Sequence, residues 1–220
     1  MKRTPMLCFS YSYLFLHLML FRPVSTCGGT GDTLFTRNAQ LLQNIRHLHN
    51  EDVVRLFPRL MEVSPTVAFT VPCIPPVGAW AYNRLSSGYG LRRHPIQGCL
   101  KQHEGIDIAG PHQYVRSTAS GRVLRVGWAN GLGLHVVVDH GNSYQTIYGH
   151  LAVILCQAGQ SLDIGERIGV LGKTGQATGL HLHYAVKKSG RYVDPAPYLT
   201  IGLKLVSCHM LGQQANAATR

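Results

Sequence analysis

Gly121-Arg122-Val123-Leu124-Arg125-Val126, His135-Val136-Val137-Val138-Asp139 and the run from Tyr144 to His150 are short stretches rich in β-branched and apolar residues, set apart by turns that contain glycine. Ile168-Gly169-Val170-Leu171 and Leu180 to Val186 carry the same texture toward the C-terminus. Runs this short and this frequent predict strands of an antiparallel, two-layer β domain, and no internal repeat divides it. The 24 glycines and 11 prolines of the 220-residue chain agree, because many turns favour a β-rich architecture over a helix bundle. The expected fold is mainly β, a sheet domain with a groove reaching from residue 77 to 205.

Outward from the strands, residues from about 38 to 62 carry helical spacing. Leu41, Leu42, Ile45 and Leu48 form one apolar set, and Val53, Leu56, Phe57, Leu60 and Met61 form a second. Asn50 is placed to cap the second helix, with Glu51 and Asp52 in its first turn where they suit the dipole. Pro58 predicts a break or kink. A short helical hairpin is expected, as a packing appendage or as a cover over the groove. Ser64 to Pro76 holds four prolines and reads as a linker, so residues 27–76 precede the sheet domain and 206–220 form a loose tail.

Residues 1–26 read as an export signal: Lys2 and Arg3, then an uncharged apolar run from Met6 to Phe21, then Arg22, Pro23 and small residues. The run is short for a membrane span, which needs about 20 apolar residues. A retained anchor and a lipoprotein processing site at Cys27 are the alternatives. Without the leader, Cys27, Cys73, Cys99, Cys156 and Cys208 remain, an odd number. Two disulfides with Cys27 left over, or buried thiols, are both open, and the absence of C-x-x-C argues against cysteine-bound zinc. Hydrophobic residues make up 45% and charged residues 14%, the balance of a folding chain. The net charge of +11, from 21 Lys+Arg against 10 Asp+Glu, attracts nucleic acid, anionic lipid or an acidic wall polymer alike. No recognition helix or stacking motif supports nucleic acid, and the leader argues against it.

Three stretches carry chemistry. In His103-Glu104-Gly105-Ile106-Asp107, alternation along an extended chain puts His103, Gly105 and Asp107 on one face and sends Ile106 and Ile108 into a core. An imidazole and a carboxylate beside a glycine are a reasonable ligand pair for zinc. In His181-Leu182-His183 the two imidazoles share a strand face, so that one is free to bind metal while the other addresses water. Tyr148-Gly149-His150 closes the alternating run Tyr144, Thr146, Tyr148, His150. His135 and His140 read as structural, His94 as local, and Lys187, Lys188 and Arg191 as a solvated hairpin face.

Together these stretches resemble the M23 zinc endopeptidases of the lysostaphin and LytM type, which cut peptidoglycan. The matching segments are Ser86-Ser87-Gly88-Tyr89-Gly90-Leu91-Arg92-Arg93-His94-Pro95, H-E-G-I-D-I-A from His103 to Ala109, Y-G-H-L ending at Leu151, Val170 to Gly175, and Thr178 to His183. They stand in the family's order through Asp194-Pro195 and Tyr198-Leu199 and cover about half of the chain. The resemblance implies one Zn2+ per chain, held by His103, Asp107 and His183, with His150 and His181 as catalytic histidines. It gives Glu104 no role as a base. Arg92 and Tyr184 are candidates to line the groove and touch substrate. Ala185 stands where relatives often carry glutamate, which removes an outer contact near His183. The implied function is hydrolysis of peptidoglycan stem or cross-bridge peptides in the periplasm or cell envelope. The alternative is a non-catalytic module that binds the wall or regulates a partner hydrolase. Expected partners are wall peptides and an envelope secretion or conjugation machinery, with membrane contact only through the leader or a lipid on Cys27.

Overall fold

The computed structural model describes residues 50–78, 84–93 and 98–201. The expected leader, the first helix of the hairpin, His94, Cys27, Cys208 and the tail lie outside the described residues.

Helices α1 (Asn50–Val63) and α2 (Pro65–Ala68) precede twelve strands. These are β1 (Arg84–Ser87), β2 (Gly90–Arg93), β3 (Leu100–His103), β4 (Ile106–Ala109), β5 (Tyr114–Arg116) and β6 (Gly121–Ala129), followed by β7 (Gly133–Gly141), β8 (Tyr144–Ile154), β9 (Ser161–Leu162), β10 (Arg167–Leu171), β11 (His181–Lys188) and β12 (Arg191–Val193). One large sheet runs β1-β4-β11-β8-β7-β6-β9, with β10 joining β5 to β8 and β12 flanking β11, while β2 and β3 form a separate hairpin. Every pairing is antiparallel, as the short alternating runs predict.

The period of two sorts the side chains of the large sheet. Ile106 and Ile108 of β4, Tyr144 and Tyr148 of β8, and Leu182, Tyr184 and Val186 of β11 enter the main core. Val137, Ile147 and Ala185 form a small apolar cluster of their own, with Leu132 and Tyr192 packed on it. On β4 and β11 the residues between the core members are Asp107, His181 and His183, so the opposite face carries the chemistry.

The core also takes in what sequence reading set apart. Val53, Phe57 and Leu60 of α1, spaced for one helical face, share the cluster with the sheet residues. Pro58 is exposed, and α1 runs through it to Val63 without ending. The buried residues on either side hold a helix that propensity alone would interrupt. The proline-rich segment is not a solvent-spanning linker. Val71, Cys73, Ile74 and Val77 are buried, the Cys73 amide donates to the Thr118 carbonyl, and the Arg116 amide donates to the Pro76 carbonyl. Prolines keep this stretch extended, the shape that lies along a sheet. Lys188 is likewise buried, 6% exposed, with its ammonium 5.4 Å from the Tyr144 ring centroid, whereas a solvated hairpin face was expected.

No disulfide occurs among the described residues; Cys73 and Cys156 are free thiols, raised to about 12 and about 11 by burial and so poor nucleophiles. His140 is structural, as read: its Nδ1 lies 2.9 Å from the Ser120 carbonyl and its Nε2 2.7 Å from Thr146 Oγ1.

Two outcomes follow. Phe57→Ala should cost about 3–5 kcal/mol in a urea titration, as expected of a core member and not of an appendage. Burial pushes His140 down to about 4, against the opposing Ser120 carbonyl. The unfolded chain protonates this ring near 6.5, so it binds more protons than the folded chain between those values, and stability is lost as pH falls from 6.5 toward 4. His140→Gln should flatten that dependence, read as urea midpoints at pH 7 and pH 5.

Candidate metal centre

Strands β4 and β11 pair so that Asp107 stands directly opposite His183, and β11 pairs with β8 so that His183 also faces Gly149. The end of β3 brings in His103. Asp107 Oδ1 is 3.0 Å from His183 Nδ1 and 3.2 Å from His103 Nε2, and the two nitrogens are 3.2 Å apart. Among the described residues these three form the one group with the donor set and spacing to hold a metal ion, their ligand atoms lying within 4.8 Å of one another.

Glycine makes this convergence achievable. A Cβ on Gly105 would meet the Tyr184 carbonyl oxygen at 2.5 Å and His183 Cε1 at 2.9 Å, and one on Gly149 would meet Leu132 Cδ2 at 3.0 Å. Between His103 and Asp107 only a residue without a side chain lets β4 close on β11.

The imidazoles are oriented by main-chain carbonyls. His103 Nδ1 is 2.7 Å from Gly88 O, His150 Nδ1 is 2.7 Å from Thr174 O, and His181 Nδ1 is 2.9 Å from Gly179 O. A carbonyl only accepts, so each Nδ1 carries a proton, and in the neutral tautomer Nε2 holds the lone pair. At His103 that lone pair faces the Asp107 carboxylate. Two acceptors at 3.2 Å repel unless a proton or a cation lies between them. Burial alone would raise the Asp107 carboxyl, but its bonds to His103 and His183 and their charges outweigh burial and hold it well below the usual carboxylate range.

The donor set fits zinc. Two imidazole nitrogens and one carboxylate oxygen are the ligand types of catalytic zinc sites, and ligands at about 2.0–2.1 Å in tetrahedral order stand roughly 3.3 Å apart, near the spacing found here.

His150 departs from the expected alternation. By parity with Tyr144, Thr146 and Tyr148 its ring would enter the core. Its φ is +59°, and the β7–β8 register slips between Leu134↔Leu151 and Val136↔Tyr148, so β8 carries an extra residue there. This bulge turns His150 to the metal face, where its ring lies 4.6 Å from that of His181 and 6.0 Å from that of His183. A left-handed non-glycine residue costs roughly 1–3 kcal/mol and persists only when its surroundings hold it. Here the His150 amide donates to the Leu132 carbonyl, its ring to Thr174, and Thr174 Oγ1 accepts from the Leu134 amide and donates to the Leu151 carbonyl. Burial first, and the neighbouring His181 and His183, push His150 down to about 4 although the Thr174 carbonyl favours its proton, so the ring is neutral at neutral pH.

Two expectations change. Tyr184 is fully buried on the core face of β11, its hydroxyl donating to Thr118 Oγ1, so it does not border the groove. Arg92 does line the groove, but its Nη2 is 3.2 Å from Asp107 Oδ2. Ala185 is covered by apolar neighbours and supplies no polar contact to the site. Thr174 went unassigned in the sequence; the only hint was a hydroxyl residue beside a glycine in the Val170 to Gly175 segment.

Residues 101–195 match the sequence profile of peptidase family M23. This chain carries an M23 peptidase domain. Over 130 residues, 58% of its length, the chain is 42% identical to an uncharacterized metalloprotease of Haemophilus influenzae, and over 116 residues, 52% of its length, 39% identical to the peptidoglycan DD-endopeptidase ShyB of Vibrio cholerae. It spans only about a quarter of these relatives, 27% of each. Among solved structures, a zinc containing peptidase from Vibrio cholerae superposes with a TM-score of 0.50 at 38% identity, covering 54% of this chain and 37% of that one. The fold of this domain is that of a zinc containing peptidase, and its own His103, Asp107 and His183 supply a donor set that suits zinc.

Gly105→Ala should force β4 from β11 and abolish retention of zinc through gel filtration, measured as metal content per chain.

Proposed function

We propose that this chain is an exported zinc metalloendopeptidase that hydrolyses peptide bonds in peptidoglycan stem or cross-bridge peptides. The observation that carries the reading is the convergence of His103, Asp107 and His183 beside two further imidazoles, His150 and His181, whose Nδ1 atoms are held by main-chain carbonyls. In this reading the first three residues hold zinc. Bound zinc supplies Lewis acidity, polarising a carbonyl oxygen and acidifying water.

The rest is the work of the chain. His150 and His181 take the proton of the attacking water and return one to the leaving amine, and their imidazolium forms offset negative charge as the carbonyl carbon becomes tetrahedral. The carbonyls of Thr174 and Gly179 keep each ring in the tautomer this task needs. The groove is lined by Arg92, Lys101 and Gln102 of the β2–β3 hairpin and by Gly131, Leu132 and Thr178. Such a trough suits an extended peptide.

The envelope is the compartment proposed, supported by the leader-like start of the sequence and by relatives with peptidoglycan or lipoprotein in their names. No helix among the described residues is long and apolar enough to cross a membrane. Opening the wall for a secretion or conjugation machinery is the role that fits such an activity.

Purified protein should contain about one zinc per chain and release muropeptides from isolated sacculi. A chelator should stop the release and added zinc restore it. His150→Ala and His181→Ala should each slow it by roughly 10²–10⁴-fold. Identical products at identical rates from wild type and both variants would refute catalysis and leave a wall-binding module.

A further inference from the structure

We infer that Arg92 is the positioning residue that fixes Asp107 for the metal, an inference that rests on reading His103, Asp107 and His183 as the ligand set. The two oxygens of the Asp107 carboxylate are divided between partners. Oδ1 faces His183 Nδ1 at 3.0 Å and His103 Nε2 at 3.2 Å, and Oδ2 accepts from Arg92 Nη2 at 3.2 Å. A carboxylate with one oxygen held cannot rotate to offer both, so Oδ1 alone is presented to the cluster.

The surrounding segment is built for the same end. Ser86 Oγ donates to the Asp107 main-chain carbonyl at 3.1 Å, Ser87 pairs with Asp107 across β1 and β4, and the Gly88 carbonyl takes the His103 Nδ1 proton. Gly90 pairs with His103 across β2 and β3, which sets Arg92 two residues further along the same hairpin strand. The stretch from Ser86 to Arg92 thus meets two of the three ligands at five points, and Arg92 is its only charged contact.

The guanidinium also bears a cost. Its Nε is buried without a hydrogen-bond partner among the described residues, an arrangement that costs stability. Its side chain is 29% exposed, so its charge is partly screened, and its leverage on Asp107 is geometric before it is electrostatic.

The experiment is zinc titration of the purified chain against a chromophoric chelator, with no peptide present. R92A should weaken zinc binding about 10- to 100-fold, and R92K, which keeps the charge but loses the planar fork, should recover part of it. The cobalt-loaded R92A protein should show altered visible absorption as the carboxylate changes its mode of binding. Zinc binding by R92A as tight as wild type, or tighter, overturns the inference and returns Arg92 to a substrate-binding task, because no substrate is in the assay. If metal-free R92A melts below the metal-free wild type, R92K decides: weakened binding supports the inference, unchanged binding overturns it. A wild type that binds no zinc overturns the ligand reading itself, a result separate from the other two.

Discussion

The register between β4 and β11, which sets Asp107 against His183, is the constraint on which the rest depends. A strand has only two faces, so a slip of one residue would turn Ile108 and Leu182 toward the groove and bury a carboxylate and an imidazole in the core. The apolar residues that alternate with the ligands therefore do more than fill space. Ile106, Ile108, Leu182 and Tyr184, all fully buried, make the correct register the one that buries them. The metal face is a by-product of packing on the other side.

Much of this could be read in the chain. Ligands and core alternate at adjacent positions in I-D-I and H-L-H, so the period of two announced both faces at once, and glycine at 105 foretold a close approach. His150 could be singled out but not placed. Its turn depends on an extra residue in β8, visible only in how that strand pairs with β7, and on a carbonyl supplied by Thr174, 24 residues away. Tyr184 was misplaced for the opposite reason: parity already put it in the core beside Leu182, and proximity in sequence to two histidines drew it toward the groove. The helix α1 and the segment after it were legible as elements but not as core, since prolines in a row resemble a linker until their apolar neighbours are seen to be buried.

The strained His150 and the loop that holds it form one device. Gly133 and Gly175 approach so closely that a Cβ on Gly175 would lie 2.3 Å from the Gly133 amide nitrogen, which brings Thr174 against the ends of β7 and β8. The Thr174 side chain ties those strands while its carbonyl takes the imidazole proton. Backbone conformation, tautomer and aim of one histidine are settled together, so none of them varies independently of the other two.

The continuity of the apolar interior from Val53 to Ile201 bears on how such a unit passes between proteins. The portion matched by the family profile begins at residue 101, yet Phe57, Val71 and Ile74 belong to the same buried cluster as the strands within it. A cut at the start of the profile match would remove Phe57, Val71 and Ile74 and leave an unfilled hollow in the core. The unit that folds is larger than the stretch the family profile matches, and its upstream portion contributes volume to the interior.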